Sequence, residues 1–383
     1  LRADGGQEVQ EGEMGIVKPR VVVAMSGGVD SSVAAALLVE QGCEVIGITM
    51  KTFRYEDVGG APSGESSCCS LDGINDARAI ASHLGIPHYV LDFSEPFDAQ
   101  VIQPFIAEYL AGRTPNPCVL CNRTIKWEEL LRKSAALGAG AIATGHYARV
   151  LPDEATGRYR LQRGVDAAKD QSYALWGLTQ ESLEKTMFPL GFMTKAEVRD
   201  AARRFGLKTA GKGESFEICF VTDNNYERFL KEAVPGLEEK VQGGSLVMDG
   251  EVVGTHRGYP FFTIGQRRGL GYAAGEPVFV KSIDPATNRV ELGRDADLHA
   301  NGLRASHVNM VRYTDCREPR RVQARIRYLD KGGMATAVTL EDGRLELRFD
   351  EPRRAITPGQ SVVMYEDEDV VGGGVIEEAF RIS

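Results

Sequence analysis

Three cysteines and one glycine-serine loop hold most of the reactive chemistry of this chain. Cys118 and Cys121 stand two residues apart in Arg113-Thr-Pro-Asn-Pro-Cys-Val-Leu-Cys-Asn122-Arg-Thr-Ile-Lys126, and Cys219 lies about a hundred residues on, in Ile218-Cys-Phe220. Thiolates are nucleophiles and soft metal ligands, so the set suits sulfur transfer, disulfide exchange or metal binding. A single Cys-x-x-Cys is half a metal site, and a lone cysteine is commonly a small buried hydrophobe. Pro115 and Pro117 predict an extended loop, with Asn122 opening a helix. That sets Cys121 just before a helix N-terminus, where the macrodipole lowers a thiol pKa. The loop Ser26-Gly-Gly-Val-Asp30-Ser-Ser32 lacks bulk, so its backbone N–H groups can close on a ligand, and Asp30, Ser31 and Ser32 can cap the following helix. Such a helix start binds phosphate. It carries neither the Gly-Lys-Ser/Thr ending of the ordinary P-loop nor a GxGxxG, and a plain strand-turn-helix corner is the alternative.

These groups need a scaffold, and the pattern supplies one. Val21 to Met25 is a short apolar run rich in β-branched residues, as in a strand buried on both faces of a parallel sheet, and Val33 to Gln41 continues as a helix. Val45 to Met50 and His88 to Phe93 read as strands; Asp72 to Leu84 and Pro96 to Leu110 read as amphipathic helices; Ala141 to Thr144 is a strand ending in Gly145 and His146. The alternation predicts a doubly wound α/β domain, in which ligands sit beyond the carboxyl ends of the strands, so that Ser26, Met50 and Gly145 converge on a ligand. Met50 covers that ligand or is a core methionine. Thr194-Lys-Ala-Glu197 is a capping box for a helix to Phe205. Beyond Ala233 the helical pattern almost vanishes. Short alternating runs broken by Asp249-Gly250, Asp284-Pro285, Gly332-Gly333, Asp342-Gly343 and Pro358-Gly359 predict small all-β modules, the last a barrel. The expected organisation is a polar leader at 1–15, with Met14 a candidate start, a catalytic α/β domain at 16–223, a central β-rich domain at 224–300 and a β-barrel at 301–383.

The composition, 43% hydrophobic and 26% charged over 383 residues, is that of an ordinary soluble protein with two or three domains. No apolar run is long enough to span a membrane and no signal peptide pattern is present, which points to the cytoplasm. The net charge of -9 argues mildly against a nucleic-acid partner, but does not exclude a local basic track. Seven cysteines without a secretion signal favour reduced thiols over a disulfide framework; Cys68-Cys69 has no assigned role.

The loop SGGVDSS resembles that of the ATP pyrophosphatase family. With TPNPxxxCN at 114–122, ATGHYAR at 143–149, KDQSY at 169–173, FPLG at 188–191, ICF at 218–220, FFTIGQRRGLG at 261–271, RIRY at 325–328 and TPGQ at 357–360, nearly the whole chain after the leader resembles the tRNA-specific 2-thiouridylases. That family replaces the C2 oxygen of the wobble uridine with sulfur. The resemblance implies ATP and Mg²⁺ as cofactors, tRNA as substrate, and a sulfur donor such as a cysteine desulfurase or relay protein. It places Ala24, Met25, Ser26, Gly27, Gly28, Val29, Asp30, Ser31, Met50 and Gly145 at ATP. Cys121 takes the nucleophile position and Cys219 the persulfide position. Cys118, Val119, Leu120, His146, Lys169, Asp170, Gln171, Arg327, Tyr328 and Gln360 fall at tRNA contacts. The basic track is expected along Arg149, Lys169, Arg267, Arg268, Arg325 and Arg327.

One position departs from the pattern, because many family members have Asp where this chain has Cys118. The exchange removes a carboxylate and adds a third thiolate, so Cys118, Cys121 and Cys219 would suit a four-iron four-sulfur cluster with one open iron. Sulfur then travels either as a Cys219 persulfide or as cluster-bound sulfide, the latter slightly favoured. Two other classes remain at this stage: an ATP pyrophosphatase acting on a small molecule, such as an amidating synthetase, and a non-catalytic RNA-binding module.

Overall fold

The computed structural model describes residues 18–53, 71–211, 218–221 and 223–382. The leader, Cys68, Cys69 and residues 212–217 lie outside them. A parallel sheet of order β3-β2-β1-β4-β7 forms from β1 (Arg20–Ala24), β2 (Glu44–Lys51), β3 (His88–Asp92), β4 (Ala141–Ala143) and β7 (Thr186–Met187). β1 lies between β2 and β4, pairing Val22 with Ile46 on one side and Ile142 on the other. Its alternate residues enter different layers. Val22 joins a core with Phe105 and Trp127, while Val21 and Val23 join one with α1 (Val29–Glu40) and α2 (Leu71–Leu84). This is why the run is apolar at every position, and it confirms the doubly wound reading, with β1 and β4 flanking the point where the strand order reverses.

The β modules follow. β8 (Gly244–Met248), β9 (Glu251–His256), β10 (Phe279–Asp284) and β11 (Arg289–Gly293) form a sheet of order β10-β11-β8-β9 over Leu246, Val280, Val290 and Leu292. A short helix, Leu237–Val241, precedes it in a stretch expected to be nearly helix-free. The last module is a closed barrel: β12 (His299–Met310), β15 (Leu345–Arg354), β14 (Gly333–Thr339), β13 (Arg320–Arg325), β16 (Ser361–Glu366) and β17 (Asp369–Phe380), closed by β12 on β17.

The first unit reaches into this barrel. A hairpin of β5 (Ala148–Asp153) and β6 (Arg158–Arg163) adds to the barrel sheet where Asp369 pairs with Gln162. Arg158 Nη2 donates to the carbonyls of Met310, Val311 and Tyr313 at 3.1, 2.9 and 3.1 Å. Asn309 donates to the carbonyls of Trp176 and Leu178. One core runs through all three units, combining Phe105 and Trp176 with Phe261 and with Val363 and Tyr365.

Candidate active site

The loop after β1 turns on Gly27 at φ +73°, where an added Cβ would lie 2.2 Å from the Gly73 carbonyl of α2. Only glycine fits there. Gly28, not a side chain, is the N-cap of α1, which begins at Val29. This corrects the expected caps: the Ser31 and Ser32 hydroxyls point back and donate to the Gly28 carbonyl at 3.2 and 2.7 Å. Ser31 Oγ also accepts from the Ser26 N–H at 3.2 Å. The hydroxyls thus brace the turn at the start of α1, a helix N-terminus of the kind that can offer N–H groups to a phosphate. Gly145 presses on that turn from the end of β4. A Cβ there would meet the Asp30 carbonyl carbon and the Ser31 nitrogen at 2.7 Å. Ala24 ends β1, Met25 and Val29 are buried, and Met50 at the end of β2 packs against the core containing Phe53 and Phe97.

Asp30 is held from two sides. Lys195 Nζ donates to its two oxygens at 2.8 and 2.9 Å, and the Tyr147 hydroxyl donates to Oδ1 at 2.8 Å. Lys195 opens the helix Lys195–Arg204, whose Thr194/Glu197 capping box is present as expected; its own N–H donates to Asp166. Sequence reasoning found the box and missed the lysine. The signal was there, a base two residues beyond FPLGFM, but nothing local said that it reaches α1.

The cysteine loop differs from expectation. The helix begins at Pro117, with Asn116 as N-cap, and continues to residue 136 through a π-helical stretch Cys121–Glu129. Proline suits a first helical position because its missing N–H is not needed there and its φ is preset. Cys118 therefore occupies the first turn and is exposed, while Cys121 sits one turn inside, half-buried on the same face at the i, i+3 spacing. The N-terminal field falls first on Cys118. Asn122, buried, donates to the Ala174 carbonyl at 2.9 Å and accepts from Lys126 Nζ at 2.9 Å. Val119 is buried and Leu120 half-buried. Cys219 is half-buried, fixed by its neighbour Phe220, which stacks edge-on against Phe97 and Phe105. Cys121 and Cys219 pack against the same core. Among the described residues no three His, Cys, Asp or Glu side chains are grouped to hold a metal ion.

The residues matched to tRNA contacts divide into two sets. Arg327 and Tyr328 are exposed on the β13–β14 loop with Leu329, at 45% for Tyr328 and 87% for Leu329. Lys169 is half-buried. Burial first, then the charge of Asp170, pushes the Tyr328 phenol up, and its hydroxyl donates to the Asp170 carbonyl at 3.4 Å while its ring meets Tyr173 edge-on. The other set faces inward. Asp170 accepts from the Ser172 N–H at 3.0 Å and lies 3.6 Å from Arg325, and Gln171 accepts from the Tyr147 N–H at 3.0 Å. His146 pairs with Thr144 at 2.7 Å beside Trp127 and Phe188; burial, then Lys126, holds it well below the ordinary histidine value. Gln360 donates to the carbonyls of Thr114 and Pro115. The expected track also needs correction. Arg149 pairs with Glu368 and the Arg163 carbonyl, and Arg325 lies against Asp170 and the Tyr365 ring, so both are structural; Arg267 and Arg268 are exposed.

Comparison with known proteins bears on the whole chain. A protein of Salinibacter ruber named tRNA-specific 2-thiouridylase MnmA is 54% identical over 94% of this chain and 95% of its own length. The chain belongs to the tRNA-specific 2-thiouridylase family. A second 2-thiouridylase, from Heliobacterium modesticaldum, is 52% identical over 94% of this chain and 93% of its own length. Three domain families match in succession: tRNA methyl transferase HUP domain at 19–223, tRNA methyl transferase PRC-barrel domain at 227–294 and aminomethyltransferase beta-barrel domain at 300–376. These descriptions name methyl transfer, whereas the 2-thiouridylases are named for sulfur. No helix among the described residues is long and apolar enough to cross a membrane.

Proposed function

We propose that this chain catalyses ATP-dependent 2-thiolation of the wobble uridine of tRNA, releasing AMP and pyrophosphate. The observation that carries the reading is the exposed aromatic Tyr328, its hydroxyl tied to the Asp170 carbonyl, in a chain that matches the 2-thiouridylases over nearly its whole length. A splayed base can stack on such a ring, as single-stranded RNA stacks on aromatic side chains. The cradle at Ser26 to Ser31 takes the pyrophosphate of ATP, with Met50 toward the adenine. Mg²⁺ arriving with the nucleotide would rest on phosphate oxygens supported by Asp30, and would supply further positive charge against the departing pyrophosphate.

The uridine C2 oxygen attacks the α-phosphate and pyrophosphate leaves, turning that oxygen into part of an AMP leaving group. Sulfur is delivered from a persulfide on Cys219. Its terminal sulfur attacks C2, AMP departs, and the base is then joined to Cys219 through a disulfide. The Cys121 thiolate attacks the Cys219 sulfur and releases the 2-thiouridine. A Cys121–Cys219 disulfide remains, to be reduced by an external thiol. Supporting this path is the packing of Cys121 and Cys219 against the same core, whereas Cys118 is exposed at the helix start. The persulfide is loaded by a separate sulfur donor such as a cysteine desulfurase or relay protein.

Mixing the protein with ATP and unmodified tRNA tests the reading. AMP release that requires tRNA supports it; AMP release without tRNA, driven by ammonia or a small acceptor, supports a synthetase instead. Cys118→Asp separates the sulfur routes. The persulfide path expects activity in air close to wild type, whereas thiolation that falls in parallel with bound iron would speak for the cluster.

A further inference from the structure

The loop that feeds the cysteine helix is gripped by both β modules. At its start the Tyr259 hydroxyl donates to the Leu110 carbonyl at 2.7 Å, and Gly112, at φ +69°, fits against Pro285 and Ile283. At its end the barrel takes hold. The Thr114 N–H donates to the Pro358 carbonyl at 2.9 Å, and Gly359, at φ +90°, lies so close that a Cβ would meet Thr114 backbone atoms at 2.8 to 2.9 Å. Gln360 Nε2 then donates to the carbonyls of Thr114 and Pro115 at 2.9 and 3.3 Å. The barrel side of this grip is itself fixed, because Ile376 N–H donates to the Gln360 carbonyl at 2.8 Å and Gly359 N–H to the Ile376 carbonyl at 2.9 Å.

We infer that Gln360 is a positioning residue for the cysteine helix, and that it acts through Thr114 and Pro115. The two carbonyls it binds precede the N-cap Asn116 by one and two residues, and Cys118 follows in the first turn. Pro117 has no N–H to offer the Thr114 carbonyl three residues before it, so a local turn cannot tie that carbonyl down. A side-chain amide with two donors on a rigid strand end does that work. The barrel thereby sets where the helix starts, and with it the aim of Cys118 and Cys121.

The inference rests on the thiolation reading for its kinetic consequence, but not for its first readout. Gln360→Met keeps the length and removes both donors. In the free protein, without tRNA or ATP, the rate of Cys118 alkylation by iodoacetamide, read by peptide mass spectrometry, is expected to change by at least about threefold. In turnover, kcat should fall between ~10- and ~100-fold with tRNA Kd within about twofold, as for a misaligned reacting group. Gln360→Lys, which still carries donors for both carbonyls, should recover most of the lost kcat and the wild-type alkylation rate. An unchanged alkylation rate in Gln360→Met together with tRNA Kd weakened tenfold or more and normal kcat overturns the inference. So does Gln360→Lys that tightens tRNA while leaving alkylation as in Gln360→Met. Should Gln360→Met fail to fold, Gln360→Glu, which keeps the shape and sets an acceptor against the two carbonyls, offers the same readouts. An inactive wild type would strike at the thiolation reading, and the alkylation comparison would still decide this one.

Discussion

Lys195 Nζ lies within 2.8 and 2.9 Å of the two carboxylate oxygens of Asp30, so the first turn of α1 carries its own counter-charge before any nucleotide arrives. The pair is well enclosed, with the Lys195 side chain only 12% exposed. Removing Lys195 as Lys195→Met leaves a carboxylate at the mouth of a pyrophosphate cradle. The KM for ATP is then expected to rise by ~10-fold or more while tRNA affinity stays unchanged. Asp30→Ala should reduce tRNA-dependent pyrophosphate release by at least ~100-fold, the scale of losing one preorganised electrostatic contact. Wild-type-like release from Asp30→Ala, in a protein with an unshifted melting curve, would remove the loop from the reaction.

Gly145 tests the same turn sterically. Its missing Cβ leaves room for the Asp30–Ser31 backbone at 2.7 Å, whereas Gly140 has nothing within 4 Å. Gly145→Ala is expected to displace the first turn of α1, raising the ATP KM and costing about 1–3 kcal/mol of stability. Gly140→Ala should do neither. Equal behaviour of the two in equilibrium unfolding and ATP titration would contradict this packing.

For the RNA surface, Arg327→Glu is expected to weaken tRNA binding and to flatten its salt dependence by about one unit of slope per lost phosphate contact. Arg325→Ala should act differently. It breaks a contact to the buried Asp170 and lowers the melting temperature instead. Tyr328→Ala should cost about 1–3 kcal/mol of tRNA affinity through lost stacking. Filter binding across a salt series separates the three.

Acid stability has a definite sign. His146, His88 and His256 are all held below the ordinary histidine value, each chiefly by burial. The unfolded chain therefore takes up protons that the folded one refuses. Stability from these groups is complete above about pH 6.5 and is lost as pH falls toward their lowered folded values. Calorimetry should show a melting temperature that falls from pH 7.5 to pH 5.5, and His146→Gln should flatten that fall. A melting temperature that rises on acidification would contradict the burial of these rings.

The parts of the site written in consecutive residues were legible before the structure. SGGVDSS after a valine run, the capping box at Thr194 and the strand end at Gly145 each declare themselves locally. The helix start at Pro117 was misread because Asn122 looked like a cap, while Asn116, followed by proline, was the real one. Long-range pairings left no local mark. Lys195 reaches Asp30 across 165 residues, and Gln360 reaches Thr114 across 246. The β6 sequence RYRLQR hides its strand because its arginines are packed rather than solvated: Arg163 lies over the Tyr365 ring at 4.1 Å and donates to Gln323. For the same reason the basic track overcounted Arg149 and Arg325.

The most direct measurement is a single turnover. Protein loaded with one persulfide on Cys219, freed of excess sulfide and iron, is mixed with ATP, Mg²⁺ and unmodified tRNA, and the digested nucleosides are read by mass spectrometry. The account expects up to one 2-thiouridine per persulfide, matched by one AMP and one Cys121–Cys219 disulfide, and none of these products from Cys121→Ser beyond the stalled adduct and its AMP. Absence of 2-thiouridine from the loaded wild type, with AMP released equally in the presence and absence of tRNA, would contradict it.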